Sequence, residues 1–137
     1  GGRVRVVRTR EAEVAAPRDV LAYFTGTARV TEMPRLGFRP GGVADHLTSA
    51  GGLLDRDYQA TALEWLQAGA TGSYGTVTEP CNHVGKFPSP TVFLAHYLGG
   101  ETLLEAYWKS VAMPGQGLFV GEPLARPFAA PHRGAAP

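Results

Sequence analysis

The stretch ATGSYGTVTEPCNH, Ala70 to His83, holds the single cysteine of the chain, Cys81. A thiol attacks well near neutral pH only as the thiolate, which a nearby base or positive charge must stabilise. His46, in the stretch ADHLTS, could serve as that base, with Asp45 or Asn82 orienting its imidazole. His83 follows Cys81 by two residues and points the same way in an extended chain. Glu79, Cys81 and His83 alternate, so all three can share one side. With Asp45 or His46 they would make a mixed oxygen, sulfur and nitrogen set acceptable to zinc, although no paired Cys-x-x-Cys or His-x-x-x-His spacing accompanies it. A plainer reading stands beside each: Cys81 as a small turn residue under a helix, and Asp45 or His46 hydrogen-bonding nearby backbone to shape a turn.

Five short apolar stretches read as strands that could position these groups: Val4–Val7, Val20–Phe24, Val43–Leu47, Ala70–Thr76 and Leu118–Val120. The first alternates valine with arginine, as a strand with one wet face does. The next two are brief apolar runs that stop at polar or small residues, like buried parallel strands. Three helices fall between them. DYQATALEWLQAG starts at Asp57 as cap and ends at Gly69, a residue suited to the left-handed position. SPTVFLAHYLGG has Ser89 as cap, Pro90 at the first helical position, Gly99 as terminator, and an apolar stripe of Phe93, Leu94, Tyr97 and Leu98. TLLEAYWKSVAM has Thr102 and Glu105 at capping-box spacing, with Leu103, Tyr107 and Val111 on one face and Leu104 and Trp108 beside it. Trp65 and Trp108 read as core residues, and His96 as a half-buried one.

Strands alternating with helices predict a mostly parallel α/β sheet. Ligands of such sheets bind at the carboxyl ends of the strands. Three strand ends carry polar groups: Thr25 to Thr27; Asp45, His46, Thr48 and Ser49; and Glu79, Cys81, Asn82 and His83. That rim is the candidate site.

Composition narrows the function classes. The chain of 137 residues has the length of one domain, and 44% hydrophobic content suits a globular core. A net charge of +1 argues against a general electrostatic nucleic-acid binder, so no nucleic-acid partner is expected. No apolar run approaches the ~20 residues of a membrane-crossing helix, and no membrane partner is expected either. One cysteine cannot close an internal disulfide. The glycines of SAGG and GSYG match no nucleotide fingerprint, and no cofactor is expected. A chain that opens Gly-Gly and runs straight into a strand pattern reads as part of a longer protein. Residues 129–137, rich in Pro, Ala and Gly, read as a disordered tail.

The stretches LEWLQAGATGSYGTV, FPSPTVFLAHYLGGETLLEAYWKSVA and GLFVGEPLARPF together resemble the C-terminal half of caspase-like domains, the gingipain and CHAT-type cysteine peptidases. The resemblance spans about Asp19 to Phe128, and its specific blocks are AGA and GEPLA. More closely, YFTGTARV, ADHLTS, GSYGTVTEPCN and SVAMPGQGLFVGEPLARPF resemble an uncharacterised bacterial family of this fold, whose longer members carry an additional N-terminal half. The resemblance implies a single α/β domain over residues 1–128, the C-terminal part of a three-layer caspase-like sandwich. In the peptidases one strand ends in His-Gly and the next in Ala-Cys, forming the catalytic dyad. Here the matching ends read Gly26-Thr27 and Asp45-His46, so Thr27 stands at the histidine position and His46 or a neighbour at the cysteine position.

The expectation is therefore a catalytically degenerate caspase-like domain. It would bind a ligand or partner (the additional N-terminal half or another protein) at the rim through Thr27, Asp45, Ser49, Glu79, Asn82 and His83. The alternatives are a divergent thiol hydrolase using Cys81 with His46, and a metal site built from Glu79, Cys81 and His83.

Overall fold

The computed structural model describes residues 4–10, 14–15, 17–78 and 83–130. Four strands, β1 (Arg18–Thr25), β2 (Gly37–His46), β3 (Gly72–Thr76) and β4 (Gly117–Gly121), form one sheet in the order β1-β2-β3-β4. β1, β2 and β3 run parallel, and β4 runs antiparallel to β3. Helix α1 (Ala62–Gln67) lies on the crossover from β2 to β3, and α2 (Pro90–Leu98) and α3 (Leu103–Ser110) separate β3 from β4. The molecule is thus an α/β fold with a mixed, mostly parallel, open sheet.

Alternate residues of β2 join different cores, because successive strand side chains point to opposite faces. Ala44 packs with Val20, Tyr23, Met33, Leu36, Ala60 and Trp65 in the cluster that holds α1. Val43 packs with Tyr74, Phe93, Tyr97, Leu103 and Tyr107 in the cluster that holds α2 and α3. The second cluster is dense in rings: Phe93 lies 4.6 Å from Tyr107 and 5.3 Å from Tyr97, and Phe119 lies 5.4 Å from Tyr107. Edge-to-face and tilted ring pairs of this kind add about 0.5–1.5 kcal/mol each beyond burial.

Several boundaries differ from the sequence expectation, each for a local reason. Val4–Val7 belongs to no strand, and Val4, Val6 and Val7 are well exposed. The Arg/Val alternation marks a segment able to pair, but no described strand takes it up. α1 begins at Thr61, not Asp57, because Thr61 and Glu64 form a capping box in which each bonds the other's amide at 3.3 Å. Its far end follows the expectation, with Gly69 at φ +103°. β2 starts at Gly37, well before Val43, since Pro40, Gly41 and Gly42 imitate a turn. Gly41 is there because φ is +83° and a Cβ would fall 2.6 Å from the Pro127 ring. In α2 the left-handed residue is Gly100 at φ +93°, one beyond Gly99, and the Ser89 side chain makes no capping bond. In α3 the Thr102–Glu105 box forms as its spacing suggests. Leu103 and Tyr107 are buried, whereas Leu104 and Trp108 face out, so Trp108 is not a core residue. Of the tail, Ala129 donates to the Arg126 carbonyl at 3.2 Å, and residues 131–137 lie outside the described residues.

Candidate functional site

The ends of β1 and β2 are aligned, with Thr25 opposite His46. Asp45 and His46 therefore meet the same rim, but their side chains leave β2 on opposite faces. Asp45 turns to the α2/α3 side and is fully buried. Its Oδ1 accepts from the Ser73 hydroxyl at 3.0 Å and the Tyr74 amide at 2.5 Å. The Tyr107 hydroxyl donates to both carboxylate oxygens, at 3.2 and 3.0 Å. Burial pushes the Asp45 pKa up to about 7, and the bonds from Tyr74, Ser73 and Tyr107 hold it from rising further. Burial, with Asp45 close by, raises Tyr107 as well, and Tyr74 to about 12. Asp45 is thus consumed by the fold. It does not orient His46.

His46 turns to the α1 side and is 3% exposed. Its Nδ1 lies 2.5 Å from the Thr48 hydroxyl, which fixes the ring. Burial lowers its pKa to about 4, opposed in part by the Ala60 backbone, so the imidazole is neutral at neutral pH. Nε2 has no hydrogen-bond partner at good geometry among the described residues. This edge of the ring is closed by loop backbone: a Cβ on Gly51 would stand 2.7 and 2.8 Å from His46 Cε1 and Nε2.

That loop is tied down along its length. Thr76 donates to the Thr48 carbonyl at 2.9 Å, and the Gly52 amide to the Thr76 carbonyl at 2.9 Å. Gly75 admits no side chain, since a Cβ would fall 2.3 Å from Gly51 C and Gly52 N. With its amide oriented to satisfy its neighbours, Gln59 accepts from the amides of Ala50 at 3.0 Å and Gly51 at 2.8 Å, and from Thr48 at 3.1 Å. Ser49 is buried within the same loop. Residues 47–52 form a plug over the strand end.

Other expected site residues are scattered. Thr27 lies two residues beyond the end of β1, its amide donating to the Thr25 hydroxyl at 3.1 Å. His83 is exposed and leads into a 3-10 turn, Val84–Lys86. Glu79, Cys81 and Asn82 lie outside the described residues. Among the described residues no three His, Cys, Asp or Glu side chains converge as metal ligands.

Sequence reasoning passed over Ser73, Tyr74, Tyr107 and Gln59, because their partners lie 28 or more positions away or in a loop without periodicity. It also passed over Lys86, which is 2% exposed and donates to the Thr78 carbonyl. A lysine set between His83-Val84-Gly85 and Phe87-Pro88 was the available signal. Beside it, a groove of about 400 Å³ opens between Leu47, Val84, Phe87, Pro88, Ser89 and Pro90. A cleft of about 160 Å³ lies elsewhere, between Arg29, Val30, Thr31, Ala60 and Glu64. No protein-family model, curated protein or solved structure matches the chain, and no family is identified by comparison.

Proposed function

We propose that this chain is a catalytically degenerate α/β domain, of the three-layer caspase-like type, that binds a ligand or partner at the carboxyl ends of its parallel strands. The sequence blocks AGA and GEPLA, and a sheet in which three parallel strands precede an antiparallel one, support that affiliation. One observation carries the functional reading: Asp45 and His46 are both buried and committed to opposite faces of the sheet. A general base must reach the proton it removes, and the His46 ring edge instead lies under the loop at Gly51, with the Ala60 backbone acting on the imidazole. The groove bordered by Leu47, Val84 and Phe87 opens at the same rim and is mostly apolar, which suits a hydrophobic side chain of a peptide or a small apolar ligand.

The rival reading, a thiol hydrolase using Cys81 with His46, draws on the unpartnered Nε2. Thiol reactivity separates the two. A Cys81 activated by an imidazole is alkylated by iodoacetamide near pH 7 much faster than a free cysteine, and the His46→Gln variant removes that excess. The binding reading expects ordinary reactivity that His46→Gln leaves unchanged. It also expects apolar peptides to shift the NMR signals of Leu47, Val84 and Phe87 equally in Cys81→Ser. Fast alkylation that depends on His46 would overturn it.

A further inference from the structure

The charges of the chain are unevenly divided. Residues 1–39 hold eight arginines against four carboxylates, and the remainder holds five basic residues against eight acidic ones. The densest basic stretch precedes the first strand, where residues 4–10 read Val-Arg-Val-Val-Arg-Thr-Arg with no acidic residue. Val4, Val6 and Val7 are exposed there, and Arg5, Arg8 and Arg10 enter no ion pair among the described residues. In an extended backbone, one side of this arm presents Val4 and Val6 followed by Arg8 and Arg10.

The outer face of α3 has the converse character. Leu104 and Trp108 stand one turn apart on it, and Trp108 is 53% exposed. The Leu104 amide donates to the Pro123 carbonyl at 3.1 Å, which sets Leu124, 73% exposed, and Glu122 at the amino end of the helix. Leu104, Trp108 and Leu124 form an apolar strip of the kind that marks a partner's site. Carboxylates border the strip. Glu101 is held between His96 Nδ1 at 2.9 Å and Lys109 Nζ at 2.6 Å. Arg126, the other cation nearby, donates from Nε to the Gly100 carbonyl at 3.0 Å. Glu105 and Glu122 enter no ion pair among the described residues. Hydrogen bonds from Thr102 hold the Glu105 carboxyl below its usual range, so it stays ionised at neutral pH.

We infer that the arm of one copy of the chain lies on the α3 face of a second copy, and that the exchange is reciprocal. Charge and spacing both fit. Two residues of extended chain advance about 6.6 Å, and four residues of helix about 6 Å. An arm running antiparallel to α3 therefore sets Val4 on Trp108 and Val6 on Leu104. It carries Arg8 and Arg10 past the end of the helix to Glu122, beside Leu124. The valines leave water against the indole ring, and the guanidinium groups meet a carboxylate that can take a paired hydrogen bond. The arm enters its own fold through Val14, which packs on the α1 cluster, whereas α3 belongs to the cluster across the sheet. A chain's own arm thus leaves on the side away from its α3, and the occupant is a second copy. Each contact occurs twice in the pair, and the exchange closes as a dimer with two-fold symmetry.

Sedimentation of the full chain across a concentration series, with tryptophan emission read alongside, tests the exchange. The expected result is a dimer whose fraction tracks a blue shift of Trp108 emission, and which added salt weakens. Trp108→Phe removes the shift, because Trp65 is already buried. Charge reversal tests the partners. A chain with Arg8→Glu and Arg10→Glu, and a second chain with Glu122→Arg, are each expected to stay monomeric where the unaltered chain is dimeric. Mixed in equal amounts, the two are expected to form a heterodimer, since each arm then meets a face of opposite sign. A chain that stays monomeric to millimolar concentration overturns the inference, and so does a mixture that stays monomeric. A Trp108 emission independent of concentration, which would place the chain's own arm or nothing on α3, also overturns it. A dimer that survives both reversals does the same.

Discussion

Asp45 and His46 are sequence neighbours with opposed effects on stability. An Asp45 pKa raised from 3.8 to about 7 means that the folded state keeps a proton the unfolded chain has lost, so its contribution is full below pH 4 and disappears as pH rises to 7. A His46 pKa lowered from 6.5 to about 4 means the reverse: its contribution is full above pH 6.5 and disappears as pH falls to 4. Each full proton of difference tilts stability by about 1.4 kcal/mol per pH unit. From this pair the native chain is expected to be nearly flat between pH 4 and 6.5. Asp45→Asn leaves the His46 slope, with stability rising over that range, and His46→Gln leaves the Asp45 slope, with stability falling. Urea melts at several pH values read both signs. Equal slopes in the two variants would refute the assignment. At Gly75 the argument is steric: a Cβ 2.3 Å from loop backbone has no flexible neighbour to displace. Gly75→Ala is expected to lower stability by about 2–3 kcal/mol in the same melts.

At the scale of elements, the two capping boxes do the same work with different warning in the sequence. Thr102 stands immediately before the helical pattern of α3, and its spacing to Glu105 is legible. Thr61 forms an equal box for α1, but Asp57 upstream offers a competing start, and only the tie of Gln59 to the 48–51 loop shows why the chain stays non-helical until Thr61. Thr61→Ala and Thr102→Ala are each expected to cost about 1 kcal/mol in thermal or urea unfolding. A loss near zero at Thr61 would mean that packing of Trp65, not the cap, sets the start of α1. The same contrast governs how much was readable. Val20–Phe24, Val43–Leu47, Ala70–Thr76 and Leu118–Val120 all fall in or beside observed strands, because apolar runs bounded by Gly or polar residues are local signals. Val4–Val7 failed because strand formation needs a partner, which no local pattern supplies. The rim was legible as the place where His46 and Ser49 gather, since topology alone sets it. A period of two places Asp45 and His46 on opposite faces, which is legible, but the partners each meets there are set by residues remote in sequence.

For the whole molecule, β2 and β3 make one cooperative unit out of two cores. Ala44 and Val43 are adjacent, yet one belongs to the α1 cluster and the other to the α2/α3 cluster, so neither cluster can lose its strand without the other losing it too. Asp45 strengthens the coupling, tying β2 to Ser73 and Tyr74 of β3 and to Tyr107 of α3. Once Tyr23 of the α1 cluster is replaced by phenylalanine, the molecule carries a separate optical reporter on each side. Trp65 is fully buried in the α1 cluster, while the tyrosines 74, 97 and 107 lie in the other. Trp108 is half exposed, so Trp108→Phe leaves Trp65 as the sole tryptophan. In that background, Trp65 fluorescence and the near-ultraviolet dichroism of the tyrosines are expected to report one urea midpoint. Phe93→Ala, which opens the α2/α3 cluster alone, is expected to cost about 3–5 kcal/mol and to move both signals together. Two separated midpoints, with Trp65 holding after the tyrosine signal is gone, would show that the sheet does not join its two faces into one folding unit.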